Sequence, residues 1–263
     1  MKKKTLEAVV GIPVICAALI FGFGYANDTS FDQLFETDST HNIDNKSNDE
    51  HISKDGQYNR KAKDYYLVNG KADVKASDYP EPGQYKYMDT DKLDRTRTSK
   101  ATINHKSFED SKGERQDFKA GSEPSGWGHN ERVHIKSDDG SETYNGYMYN
   151  RSHLIGDSLG GDAVKENAVT GTRPQNVGQP GTSTGGMRYT ETSVEKYMNQ
   201  HKDGIVYYEA KPNYVKDEKI PRTVTVNMMS KDKKLNEKVT VYNNAKGYRI
   251  NFKDGTFKFD KSS

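Results

Sequence analysis

Apolar and polar positions alternate every second residue in RVHIKS (132–137) and TYNGYMYN (143–150). The two runs flank the turn residues Asp138, Asp139 and Gly140, which predicts two strands joined as a hairpin. The period then changes. In RYTETSVEKYMNQHK (188–202) Val194, Tyr197, Met198 and His201 fall at helical spacing, and Asp203-Gly204 stops the predicted helix. Strand-like runs follow at IVYYEAKP (205–212), RTVTVNMM (222–229) and KVTVYNN (238–244). GYRINFKDGTFKFD (247–260) alternates on both sides of an Asp-Gly pair and predicts a closing hairpin. Strands, a loop-rich centre, one clear helix and more strands give an α+β domain with a mainly antiparallel sheet, expected over residues 84–263.

Before residue 84 the pattern is weaker. Residues 27–60 have few apolar positions and carry eight acidic against three basic residues, the composition of a flexible acidic stalk. Residues 61–83 are transitional, with a short strand predicted in YYLVNG and a turn in DYPEPG. The first 26 residues have the layout of a secretory signal: Lys2, Lys3 and Lys4, then an uncharged apolar run, then Gly24-Tyr25-Ala26. A retained membrane anchor is the alternative, although Pro13 and several glycines weaken a spanning helix.

Composition adds three points. At 32% hydrophobic and 30% charged residues, with 17 tyrosines against nine phenylalanines, the core must use amphipathic aromatics whose hydroxyls find partners. The single cysteine, Cys16, lies inside the signal-like run, so an exported mature chain is held by packing rather than disulfides. That suits a bacterial exported protein, secreted or at the cell surface. Residues 61–263 carry a net charge of +5, mildly suited to a polyanionic partner.

The segment YNRSHLIGDSLGGDAVKENAVTGTRPQNVG (149–178) has too many glycines, amides and hydroxyls for a core element. Its residue types suit phosphodiester hydrolysis. A neutral imidazole such as His153 can take a proton from water, which contributes roughly 10²- to 10⁴-fold. Arg151 offers a planar donor set for a phosphate. A hard ion such as Mg²⁺ takes oxygen ligands and uses few of them from protein, so an asparagine carbonyl from Asn167 or Asn176 suffices. Glu191, early in the predicted helix, is placed to orient a metal-bound water. Each residue also has a plainer use: a hydrogen-bonded histidine, turn-forming asparagines, a glutamate favourable to the helix dipole.

Three motifs in order, YNRSHLIGDSLGG, ENAVTGTRPQN and GGMRYTE, resemble the DNA/RNA non-specific endonuclease family of the ββα-metal (His-Me finger) group. In texture they are nearest to the secreted DNases of streptococci and related Gram-positive bacteria. The likeness extends from about Tyr87 to Phe259 and takes in PSGWGHN. The family's Asp-Arg-Gly-His signature stands here as Asn150-Arg151-Ser152-His153, which removes a negative charge beside the site. The resemblance implies His153 as general base and Asn176 as direct metal ligand. It implies that Arg151 and Asn167 position the phosphate or transition state, and that Glu191 holds a metal-bound water. Glu195, on the same helix face, competes for the glutamate role. The implied cofactor is Mg²⁺, with Mn²⁺ as an alternative; the implied substrate is DNA, with RNA as an alternative. No protein partner is implied, and a membrane enters only if residues 1–26 are retained.

Other residues are read as structural. His129 and His134 lack the cysteines or carboxylates of a zinc set. Trp127, the one tryptophan, reads as a core anchor, while Arg173 and Arg188 flank the site as phosphate contacts or solvated charges. The competing readings are a non-catalytic polyanion-binding surface protein, which has no need of the His-Asn-Glu set, and a membrane-anchored DNA-uptake nuclease.

Overall fold

A computed structural model describes residues 57–113 and 116–261, all within a unit spanning Lys46–Ser263. The signal-like segment and most of the acidic stretch, residues 1–56, lie outside the described residues.

The strands are β1 (Tyr66–Val68), β2 (Gln84–Tyr87), β3 (Ser99–Asn104), β4 (Arg132–Lys136), β5 (Thr143–Tyr147) and β6 (Tyr149–His153). They continue as β7 (Ala168–Thr172), β8 (Ile205–Asn213), β9 (Thr223–Ser230), β10 (Asn236–Tyr242), β11 (Tyr248–Ile250) and β12 (Phe257–Phe259). The helices are α1 (His105–Asp110), α2 (Arg173–Val177) and α3 (Met187–Gln200). Six strands form an antiparallel sheet in the order β1-β10-β9-β8-β3-β2, and β4–β5, β6–β7 and β11–β12 form separate two-stranded ladders.

Period-two patterning builds the large sheet. One face collects Ala101, Ile103, Val206, Tyr208, Ala210, Val224, Val226, Met228, Val239 and Val241, all fully buried. Helix α3 contributes Met187, Val194, Tyr197 and Met198 to the same core, a stripe at helical spacing. Leu154, Ile155, Leu159 and Val169 join that core from the segment around β6 and β7, so the candidate chemistry is mounted directly on it. A second core gathers Val133, Ile135, Met148, Tyr149, Ile220, Tyr248, Ile250 and Phe252 under β4–β5 and the C-terminal ladder. Buried tyrosines find polar partners as composition required: the Tyr149 hydroxyl donates to the Gly255 carbonyl (2.9 Å), and Tyr208 shares a hydrogen bond with Thr190 (2.8 Å).

The structure moves two boundaries. Residues 57–60, expected in the stalk, and the transitional residues 61–83 pack on the body: Tyr58, Ala62 and Tyr65 are buried, and the short strand predicted in YYLVNG is β1, which pairs with β10 at the sheet edge. Asp64 reaches the loop after α2, accepting from the Gln179 backbone (3.1 Å) and the Thr182 hydroxyl (3.3 Å). The run 143–150 is not one strand but two, broken at Met148, which is fully buried while its neighbour Tyr149 is buried as well. Consecutive buried residues re-aim the chain toward β7, and alternation alone hides that break. The predicted helix and the three strands after it lie within about two residues of their observed bounds. Strands β2, β3 and β7 and helices α1 and α2 fall in stretches where no element was predicted.

Candidate active site

The candidate residues lie on a β-hairpin followed by a short helix. Strand β6 pairs with β7 from Tyr149↔Thr172 to His153↔Ala168, placing His153 at the end of the ladder. Thr172 caps α2, its hydroxyl accepting from the Gln175 amide (3.1 Å) and donating to the Asn244 carbonyl (2.8 Å). Pro174 is preset for the first helical turn, and Gly178 ends α2 after five residues. Asn176 therefore faces back across the hairpin. Its Oδ1 accepts from the Ser152 hydroxyl (3.1 Å), and its Nδ2 donates to Asn150 Oδ1 (3.4 Å).

His153 is buried, and the Phe118 ring lies 4.7 Å from its imidazole, centroid to centroid. The same ring lies 5.1 Å from the Arg151 guanidinium carbon, which also sits 5.7 Å from the Trp127 ring centre. Two aromatic faces thus hold Arg151 while its charge stays available. Trp127 packs on the second core, as an anchor should, and touches the site as well. Phe118 was not legible in advance. It stands alone among charged residues in a loop, and no periodic signal marks it.

Glu191 lies on α3 against the loop that follows His153. A side-chain carbon at Gly156 would come within 2.5 Å of its carboxyl carbon, so only glycine permits this approach. Its Oε2 accepts from Arg188 (2.8 Å) and from the Ser158 hydroxyl (3.3 Å). Burial pushes the Glu191 carboxyl up from its ordinary range, against the opposing pull of Arg188. Arg188 also grips both oxygens of Glu195, at 2.6 and 3.0 Å, so it is an ion-pair partner of two glutamates rather than a solvated charge. Both glutamates meet Arg188, and Glu191 is the one that also lies against the loop following His153. At Gly186, where α3 begins, an added side-chain carbon would meet the Gln175 carbonyl oxygen at 2.2 Å, which locks the α3 start onto α2.

Asn167, expected to position the phosphate or transition state, makes its hydrogen bonds inside the protein. It is fully buried, its Oδ1 accepts from the Ile155 amide (2.9 Å), and its Nδ2 donates to the Ile155 (2.9 Å) and Asp162 (3.0 Å) carbonyls. The amide is committed to closing the loop between β6 and β7, which leaves it no exposed atom for a substrate. Arg173 lies over the Tyr144 ring (5.3 Å), away from the Asn176 contacts. His134 pairs with Asn145, and no cluster of three or more His, Cys, Asp or Glu suited to a metal occurs among the described residues.

A ladder, a short helix bearing an asparagine, and a histidine at the ladder end define a ββα-metal nuclease fold. The sequence profile of the DNA/RNA non-specific endonucleases matches residues 71–261, and the chain belongs to that family. It is 31% identical over 239 residues to a deoxyribonuclease of Streptococcus dysgalactiae subsp. equisimilis, covering 73% of this chain and 72% of the relative. The zinc-bound structure of Sda1 nuclease superposes with a TM-score of 0.72 at 29% identity, over 76% of this chain and 98% of that one. NucA from Streptococcus agalactiae with magnesium bound shares the fold, with a TM-score of 0.55, 20% identity, and 76% and 93% coverage. The protein is a nuclease of the α+β, mainly antiparallel class.

Proposed function

We propose that this nuclease is an exported, divalent-metal-dependent endonuclease that hydrolyses phosphodiester bonds of DNA, with RNA as an alternative substrate. The observation that carries this reading is the grouping of Arg151, His153 and Asn176 on one hairpin-helix unit. The deoxyribonuclease relative supports DNA, and the lysines and apolar run at residues 2–26 support export.

The residues fit a hard divalent ion. The Ser152 hydroxyl meets Asn176 Oδ1 and Asn150 Oδ1 meets its Nδ2, so the oxygens near this side chain come from an amide and a hydroxyl, with no cluster of three or more His, Cys, Asp or Glu among the described residues. Mg²⁺ sites often take one or two protein ligands and fill the rest with water and substrate phosphate, and Mn²⁺ accepts the same donors. Asn176 would hold the ion, with Glu191 orienting a water on it. The bound ion supplies positive charge for the phosphoryl and leaving oxygens.

The chain's own residues do the remainder. His153 takes the proton of the attacking water, and its burial under Phe118 keeps bulk water from competing. Arg151, held between Phe118 and Trp127, presents its donors to a phosphate oxygen without having to be ordered first. Asn167 acts through the loop it closes, fixing the residues that follow His153. Contacts led by phosphate rather than base edges make cleavage indifferent to sequence.

Plasmid nicking by the full chain, with Mg²⁺ or Mn²⁺ and with excess EDTA, tests this. Nicking that requires the ion is expected, and nicking unaffected by EDTA would remove the metal from the account. Absence of nicking with either ion would overturn the reading itself.

A further inference from the structure

The β4–β5 ladder presents a face used by neither core nor active site. Alternation turns Val133 and Ile135 into the second core and leaves Arg132, His134 and Lys136 exposed. Across the ladder they stand opposite Tyr147, Asn145 and Thr143, which are exposed too. The six outward positions thus hold two permanent cations, an imidazole, an amide, a hydroxyl and an aromatic ring, with no carboxylate. Arg132 lies 5.7 Å from the Tyr147 ring centre, and Tyr147 is 53% exposed. Neighbouring acids sit beyond the ladder ends. Glu131 precedes Arg132 and Glu142 precedes Thr143. Asp138 is paired with Lys63 (3.3 Å) and Lys246 (3.7 Å), and Asp139 accepts from Ser137 and Ser141.

The two strands of this face adjoin the candidate site in sequence. Tyr147 is followed four residues later by Arg151, across the break at Met148. Trp127, which packs on Arg151, precedes Arg132 by five residues. Each member of the Arg132–Tyr147 pair thus lies within five residues in sequence of Arg151 or of the ring that packs on it. A two-stranded ribbon is slim enough to enter the major groove or to follow its phosphate rim. Arg132 to Lys136 spans about 13 Å, over which duplex DNA carries on the order of eight phosphates at one per about 1.7 Å of axis.

We propose that the outward face of the β4–β5 ladder docks the duplex that flanks the scissile phosphate, with Arg132 and Lys136 on phosphates and Tyr147 against the sugar edge. The proposal rests on the nuclease reading above and adds to it a binding surface outside the reaction centre. Such a surface sets affinity for long DNA and its salt dependence, and leaves the chemical step alone.

The test measures binding of the full-length protein to a 30-base-pair duplex by fluorescence anisotropy across a salt series in EDTA, where turnover is suppressed. The double variant Arg132→Ala, Lys136→Ala should lower the slope of log affinity against log salt by about two, since each phosphate contact contributes about 0.9. With Mg²⁺, its cleavage of a nitrophenyl ester of thymidine phosphate, too short to reach the ladder, should match wild type. The charge-preserving variant Arg132→Lys, Lys136→Arg should keep the wild-type slope. An unchanged slope in the alanine variant, or an equal loss in the charge-preserving one, overturns the proposal. So does loss of binding to phosphatidylglycerol vesicles with DNA binding intact, which would assign the face to a membrane. Wild-type protein that binds the duplex with the expected slope but never cuts it would refute the nuclease reading and leave the docking face standing.

Discussion

Along β9 the fully buried side chains include Val224, Val226 and Met228, whereas β6, β7 and α2 bury Ser152, Thr170, Thr172 and Gln175 to the same degree. The first set gains from area removed from water, a force without direction that tolerates small shifts. In the second, three hydroxyls make bonds of fixed geometry: Ser152 to Asn176 Oδ1 (3.1 Å), Thr170 to the Ser125 carbonyl (2.8 Å) and Thr172 to the Asn244 carbonyl (2.8 Å). The Asn243 amide donates to the Thr170 carbonyl (3.0 Å), while the Gln175 side-chain amide is buried without a partner among the described residues. The sheet is a platform whose stability comes from packing. The hairpin is an instrument whose residues are fixed in place by polar contacts and close backbone approach.

The comparison breaks most visibly at the platform. Met228→Ala should cost about 2–5 kcal/mol of unfolding free energy, the range for deleting a buried methionine side chain. Denaturant melts read that loss, and nicking per folded molecule should stay at the wild-type value. A variant of full stability but reduced activity would mean that sheet and site are not separable in this way.

Asn167→Ala should act on both halves at once. It removes an amide bonded to Ile155 and Asp162, leaving buried backbone groups unpaired at a cost of about 1–3 kcal/mol. The loop it closes carries Gly156 and Ser158 against Glu191, so the nicking rate should fall as well. Melts and plasmid assays on one preparation check both; a rate that falls with no loss of stability would favour a direct contact with substrate.

These outcomes bear on what the sequence made legible. The strands of the platform announce themselves because apolar residues alternate with more polar ones, Val206, Tyr208 and Ala210 with Tyr207, Glu209 and Lys211, and Val224, Val226 and Met228 with Thr223, Thr225 and Asn227. Helix α3 does so through Val194, Tyr197 and Met198. Strand β7 stayed hidden because all five of its residues are buried, which leaves no alternation to read. Helix α2 stayed hidden because five residues cannot show a helical period. The identities of His153, Arg151, Asn176 and Glu191 came from a motif resemblance, and their juxtaposition requires the fold. Phe118 joins the site, and Asp64 the loop after α2, through contacts distant in sequence, about which local pattern carries no information.

The smallest expected effect concerns Glu191 and pH. Its carboxyl is raised above the ordinary 4.5 by burial, so the folded chain binds this proton more tightly than the unfolded chain. Its contribution to stability is therefore fully present below 4.5 and is lost as pH rises through the raised value. Glu191→Gln is uncharged throughout. Its denaturation midpoint relative to wild type should rise between pH 4.5 and 7, as circular dichroism melts would show. A relative midpoint that falls over that window would mean that attraction to Arg188 outweighs burial.

The central claim, that the hairpin supplies the chemistry and the platform the stability, is tested most directly by His153→Ala. Plasmid nicking and thermal midpoint are to be measured on the same full-length protein. The account predicts nicking reduced by at least about 10²-fold, the scale of general-base catalysis, in a protein still folded at the assay temperature, with a midpoint lowered only by the packing lost against Phe118. Wild-type nicking by the alanine variant, or a loss of activity that only tracks unfolding, would contradict it.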